Sequence, residues 1–460
     1  MVATVSQLIN VQYPAKQNVE KVVSYLKTLT KVEDNDILYL QGDIASCRHD
    51  TDMDEVFRQE SNFFYLTGVD QPGYHVIVEL SSGKSILFAP KIHDDEIMWI
   101  GEQPSLTEQK EKYNVDEILY VEQLIPYIEK LNSNTIHTFD QVFKNETITQ
   151  FSSKLNNEHL QTALNESRMI KSDFEISLLR EANRISCEAH VKLMKEAQAG
   201  MNERELHALF AYHCHAHGSS GLGYNPIVGS GTNGAILHYH QNCANIKAEG
   251  ELVLVDAGCD FRYHAADITR TFPVAGKFTE KGRAVYQLVL DMQKAVLDTI
   301  KEGVQWEDLH RLAMKVAAEG LVKLNILKGT PEEALKSGAV AIFFPHGLGH
   351  SIGLDVHDVG GYPKGVERIQ EPGIRYLRMR RKLTKGMVVT VEPGIYFSSA
   401  LIAAGIADPE IAKYVNIDLA QEFVKVGGVR IEDSVVVTEN GHDNLTPLLK
   451  EVSEIEALFH

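Results

Sequence analysis

Five short segments of this 460-residue chain each place an oxygen or nitrogen ligand where an apolar strand ends or bends: LVLVDAG (Asp256), AADITRTF (Asp267), PHGLGHSIG (His350), TVEPGIY (Glu392) and VRIEDSV (Glu432). Asp256 follows LVLV and Glu392 follows MVVTV, so both carboxylates interrupt strands that should otherwise be buried. An unpaired charge there costs several kcal/mol. Two divalent cations would balance Asp256, Asp267, Glu392 and Glu432, with His350 completing the set as neutral imidazole. Four carboxylates and one imidazole without a thiolate favour Mn2+ or a similar ion over a structural zinc of the cysteine type. The chemistry of such a pair is hydrolysis by an activated water, which needs no side-chain nucleophile. Taken singly, each acid is more often a hydrogen-bonded structural group or half of an ion pair, and partners are at hand: Arg430 stands two residues before Glu432, and Arg270 three after Asp267. The metal reading rests on five such places in one chain, each flanked by glycine or small residues.

These residues need elements behind them. The run KSDFEISLLREANRISCEAHVKLMKEAQAG predicts a helix capped by Ser172 or Asp173 and stopped by Gly200, with Phe174, Leu178, Ile185, Ala189 and Leu193 on its apolar stripe. A second helix is expected over 202–217. GELVLVDAG and DFRYHAADITRTFPV read as strands, helices follow between 281 and 323, and the stretch 343–437 returns to strands in MVVTVEPGIYF and VGGVRIEDSVVVTE. That order predicts two similar αβ halves. Ahead of them, DILYLQG, YHVIVEL, SILFAP and NTIHTF alternate with helix-compatible stretches at 107–112 and 122–131, as in a smaller α/β domain. The boundary is expected near 165, giving domains 1–165 and 166–460 of an α+β protein.

Two other patterns are weighed and set aside. Gly229, Gly231 and Gly234 have dinucleotide-fingerprint spacing and Asp256 follows at a fitting distance, but AILHYHQNCANIKAEG lacks the helical period that must open at the third glycine. A glycine-rich turn between strands is expected. His213, Cys214, His215 and His217 crowd one helix end, where histidine suits the dipole, and no HExxH glutamate accompanies them. A structural role is expected there.

The motifs resemble those of the pita-bread metallopeptidases, specifically the prolidases (Xaa-Pro dipeptidases) of eukaryotic type, and DMDEVFRQESNFFYLTGVDQPG is similar to their amino-terminal domain. The resemblance implies a C-terminal pita-bread fold of pseudo-twofold αβ halves. Asp267 and Glu432 would bridge two cations, Asp256 would complete one, and His350 with Glu392 the other. It implies Glu392 as the proton carrier, with His238, His357 and His346 steadying the oxyanion and the substrate carboxylate. GGYPKGVERIQEPGIRYLRMRRKLTKG resembles the prolidase insertion, whose arginine, matched by Arg378, would grip a dipeptide's carboxylate. Tyr224 joins Arg378 at the proline pocket. The expected activity is therefore dipeptide hydrolysis by a Mn2+-dependent homodimer. The alternatives are aminopeptidase P, which removes the residue before proline from longer peptides, and a non-catalytic binding protein on the same fold.

Composition narrows the rest. With 45 basic and 63 acidic residues the net charge is −18, which repels nucleic acid and anionic lipid. No apolar run reaches the roughly 18 residues of a membrane span. Five scattered cysteines without a CxxC pair, and a start (MVATVSQLINVQYPAKQ) without a leader pattern, suggest a cytoplasmic protein with reduced thiols. The sequons at Asn145, Asn165 and Asn444 are accordingly expected to stay unmodified.

Overall fold

The computed structural model describes residues 11–139, 146–248 and 250–459; segment 1–10 and Asn145 fall outside these ranges. The chain divides into two compact units, 1–168 and 169–460.

The first unit is built on a mixed six-stranded sheet of order β4-β3-β2-β1-β5-β6, comprising β1 (Ile37–Gln41), β2 (His75–Glu79), β3 (Lys84–Ala89), β4 (Glu117–Tyr120), β5 (Ile136–His137) and β6 (Leu155–Asn156). The first three pair antiparallel and are buried almost continuously, because both faces are covered. Ile37, Tyr39, Ile77, Ile86 and Phe88 meet Leu124 and Ile128 of the helix Leu124–Leu131. The sequence reading overlooked β4 and the helix α1 (Ala15–Leu29).

The second unit repeats a helix-pair-then-sheet order. Helix α2 (Asp173–Glu196) starts at Ser172, whose side chain accepts from the Glu175 amide while Glu175 reaches back. It ends at Glu196 rather than running to Gly200, because Ala197 is already extended; Gly200 then turns the chain at φ +93°. Helix α3 (Glu203–Ala216) has Asn202 and Glu205 as its capping box. Next come β7 (Gly221–Leu222), β8 (Ile227–Ser230), β9 (Leu252–Asp256), β10 (Cys259–Phe261), β11 (His264–Ala265) and β12 (Thr269–Pro273). Strands β8, β9 and β12 form an antiparallel sheet, and β7 pairs with the β10–β11 hairpin.

The second half opens with α4 (Glu280–Leu297) and α5 (Trp306–Lys323). Its strands are β13 (Val388–Val391), β14 (Gly394–Tyr396), β15 (Gly428–Arg430), β16 (Asp433–Val437) and β17 (His442–Asn444). The expected return to strands over 343–437 is only partly met: α6 (Ser399–Ile406) and two shorter helices separate β14 from β15. All five cysteines are free, and among the described residues no helix is long and apolar enough to cross a membrane.

Candidate metal centre

Strand register gathers the acidic residues. Asp256, the last residue of β9, faces Thr269, the first of β12, and Asp267 lies two residues earlier. Val391 of β13 faces Asp433 of β16, so Glu392 and Glu432 each sit one residue outside that pair, at the same sheet end. The Glu432 amide donates to the Thr269 carbonyl at 3.0 Å and joins the two sheets. His350 comes from the loop beside β13, where the Thr390 amide donates to its carbonyl at 2.9 Å. The small residues around the ligands have a steric cause: a Cβ on Gly349 would lie 2.1 Å from the Thr390 carbonyl oxygen, and one on Gly258 would lie 1.9 Å from that of Ala266.

Ligand atoms of Asp256, Asp267 and Glu432 lie within 4.8 Å of one another, as do those of His350, Glu392 and Glu432, and those of Asp267, His350 and His357. All five expected ligands line one cavity of about 410 Å³, with His238, His346, His357, Arg378 and Arg430. His350 Nδ1 donates to the Ser351 carbonyl at 3.0 Å, which leaves Nε2 to face Asp267 at 3.3 Å and Glu392 at 3.4 Å. Burial, then Asp267, Glu392 and Asp256, push the Glu432 carboxyl well above its ordinary range. Burial chiefly raises Glu392 to about 7 and raises Asp256 despite Arg430. Glu432 Oε2 accepts from Thr269 at 2.7 Å, whereas the buried Oε1 has no hydrogen-bond partner. Mutually repelling buried carboxylates, one with an oxygen that meets no donor, fit a cation among them.

The charge balance differs from the expected one. Arg430 pairs with Asp256 at 2.6 Å across the strands, not with Glu432, and it places a positive charge inside the set. Two divalent cations are therefore not the sole counter-charge to the four acids. Arg270 is likewise spent elsewhere, bonded to Asp433 at 2.7 Å with both side chains fully buried. Tyr224 is not a lining residue of the cavity; its hydroxyl donates to Asp256 Oδ1 at 2.5 Å.

His238, His357 and Arg378 are exposed at the cavity, while His346 is half-buried. His346 Nδ1 donates to the Gly347 carbonyl at 2.7 Å, so Nε2 accepts from the Tyr396 hydroxyl at 2.8 Å. Burial lowers this imidazole to about 3, which keeps it neutral. Arg430 donates to the same hydroxyl at 2.9 Å. Sequence reasoning missed Tyr396, Thr390 and Thr269, although a visible signal existed: Thr390 and Thr269 stand two residues from Glu392 and Asp267, the spacing that shares a strand face.

The glycine pattern is the expected turn. Gly229 lies in β8, and a short 3-10 helix, Gly231–Ala235, follows it. What holds the turn was not foreseen. Fully buried Glu203 accepts through Oε1 from the Ser230 amide and hydroxyl, both at 2.8 Å, and from Asn233 Nδ2 at 3.0 Å. Its Oε2 accepts from the Tyr239 hydroxyl and the Ala244 amide, both at 2.9 Å. The segment carrying His238 is thereby anchored to the start of α3.

Residues 177–439 match the model of metallopeptidase family M24, and residues 15–138 match that of the aminopeptidase P N-terminal domain. A probable Xaa-Pro aminopeptidase of Verticillium alfalfae is 42% identical over 450 residues, covering 97% of this chain and 96% of the relative. One from Botryotinia fuckeliana is 40% identical over 462 residues and covers 100% of both chains. Among solved structures, aminopeptidase PepP of Pseudomonas aeruginosa superposes with a TM-score of 0.81 at 31% identity, covering 98% of each chain. Aminopeptidase P from E. coli with the inhibitor Pro-Leu gives the same score and identity over 98% of this chain and 99% of the other. These relatives bear the name of the aminopeptidase P alternative rather than that of the prolidase reading. Arg378, the residue expected to grip a dipeptide's carboxylate, lines the cavity at its exposed side.

Proposed function

Because the chain belongs to metallopeptidase family M24, we propose that it is an Xaa-Pro aminopeptidase, which releases the residue ahead of proline from peptides longer than a dipeptide. The observation that carries this reading is the acidic cavity itself, set in a chain whose full length aligns with relatives bearing that name. Asp267 and Glu432 would be shared by two cations, with Asp256 completing one site and His350 and Glu392 the other; Mn2+ suits the donors best. When bound, such a pair acidifies a water molecule and polarises the scissile carbonyl.

The side chains supply the rest. The Glu392 carboxylate takes the proton of the attacking water and delivers it to the proline nitrogen, which leaves as an amine. His238 and His357, exposed in the cavity, donate to the developing oxyanion. His346 acts differently from the role expected of it. Its Nε2 accepts from Tyr396 and has no proton to give, so it is a positioning residue for the Tyr396–Arg430–Asp256 chain. Arg378 at the exposed side steers the peptide without requiring a terminal carboxylate.

Turnover of Gly-Pro against Gly-Pro-Gly by the manganese-loaded enzyme tests the assignment. The tripeptide should have a kcat/KM at least about tenfold higher, roughly 1.4 kcal/mol of transition-state binding. A dipeptide cleaved equally well or better would restore the prolidase reading.

A further inference from the structure

We propose that Glu188, His213 and His217 form a second cation site, outside the catalytic cavity, that takes one Zn2+ ion between helices α2 and α3. His213 and His217 are one turn apart at the C-terminal end of α3, and their rings stack with centroids 4.0 Å apart. His217 Nδ1 donates to the His213 carbonyl at 2.8 Å, which leaves the lone pair of Nε2 available. His213 Nε2 is buried and has no hydrogen-bond partner. The carboxylate it faces, Glu188 Oε2 on α2, is 3.9 Å away, beyond hydrogen-bond reach. Ligand atoms of all three residues lie within 4.8 Å of one another.

Several features suit a cation. The other Glu188 oxygen accepts from Arg184 at 2.6 Å, which fixes the carboxylate as partners of metal ligands commonly do. The carbonyl end of a helix attracts positive charge. Arg184 and Lys192 oppose it, but Arg184 also bonds Glu181, and Lys192 bonds Glu196 at 2.7 Å. Burial, then His217, holds His213 below the ordinary histidine range. Two imidazoles and one carboxylate make a borderline set that prefers zinc to manganese. The structural role expected from sequence is thus revised: the missing glutamate comes from the preceding helix rather than from an HExxH register.

The test is equilibrium dialysis of the full-length, manganese-loaded protein against Zn2+, comparing wild type with His217→Gln and Glu188→Gln. Wild type should bind one more zinc per chain than His217→Gln, with roughly 10- to 100-fold tighter apparent affinity, and Glu188→Gln should fall between. Zinc displacing manganese in the cavity adds equally to all three proteins and cancels. Peptide hydrolysis with manganese should be the same in each, which verifies that the variants are folded. Equal zinc binding by wild type and both variants would overturn the site.

Discussion

Replacing Glu203 by glutamine probes the buried carboxylate that anchors the loop before His238. In the wild type five donors converge on its two oxygens, two of them main-chain amides. Glutamine offers one acceptor oxygen and one donor group. Its least costly orientation keeps the oxygen toward Ser230 and Asn233, lets the Tyr239 hydroxyl turn round, and leaves the Ala244 amide facing an NH2. An orphaned buried amide costs about 1–3 kcal/mol, and the bonds to Ser230 and Asn233 lose their charge assistance, so the total is about 4 kcal/mol. For a unit of this size that corresponds to roughly 8 °C in melting temperature. The chain has two tryptophans, exposed Trp99 and fully buried Trp306. In a Trp99→Phe background, Trp306 fluorescence therefore reports unfolding of the second unit alone. Glu203→Gln should melt about 8 °C lower and turn over peptide more slowly as His238 loses its anchor. A melting temperature within about 1 °C of the parent would refute the reasoning, since it would mean the amide is satisfied elsewhere.

Two further outcomes follow from buried titratable groups. Lys171 and Asp358 pair at 2.8 Å with both side chains 1% exposed, beside His357. Lys171→Met should therefore cost about 3–5 kcal/mol of stability, and Lys171→Met with Asp358→Leu should recover most of it in thermal melts. In the first unit, burial lowers His75 to about 4, and its Nδ1 shares a hydrogen bond of 2.8 Å with the Tyr39 hydroxyl. Unfolding lets this imidazole take up a proton near pH 6.5, so its contribution is complete above that pH and declines as pH falls toward 4. The loss should be about 2 kcal/mol by pH 5. Hydrogen-exchange protection of β1 and β2, compared at pH 7 and pH 5 in wild type and His75→Gln, should show that decline in the wild type only.

Local chemistry made much of the site legible in advance. The helix expected over 202–217 matches α3 because cap signals are short-range, and acids closing apolar runs mark Asp256 and Glu392 because burial needs compensation. Long-range choices were not legible. Arg430 is two residues from Glu432 yet bonds Asp256, since strand pairing sets its neighbours. Glu203 at the first turn of a helix reads as a dipole partner, and only the folded chain turns it inward to five donors. Glu188 is invisible beside His213 until two helices pack.

The most direct measurement of the central idea is the manganese content of exhaustively dialysed protein, read together with hydrolysis of Gly-Pro-Gly. Wild type should retain two ions per chain and lose activity on chelation, regaining it with Mn2+. Glu432→Gln, which removes the acid common to two of the ligand groups, should retain at most one ion and be inactive. Full activity in metal-free protein, or two ions in Glu432→Gln, would contradict the account.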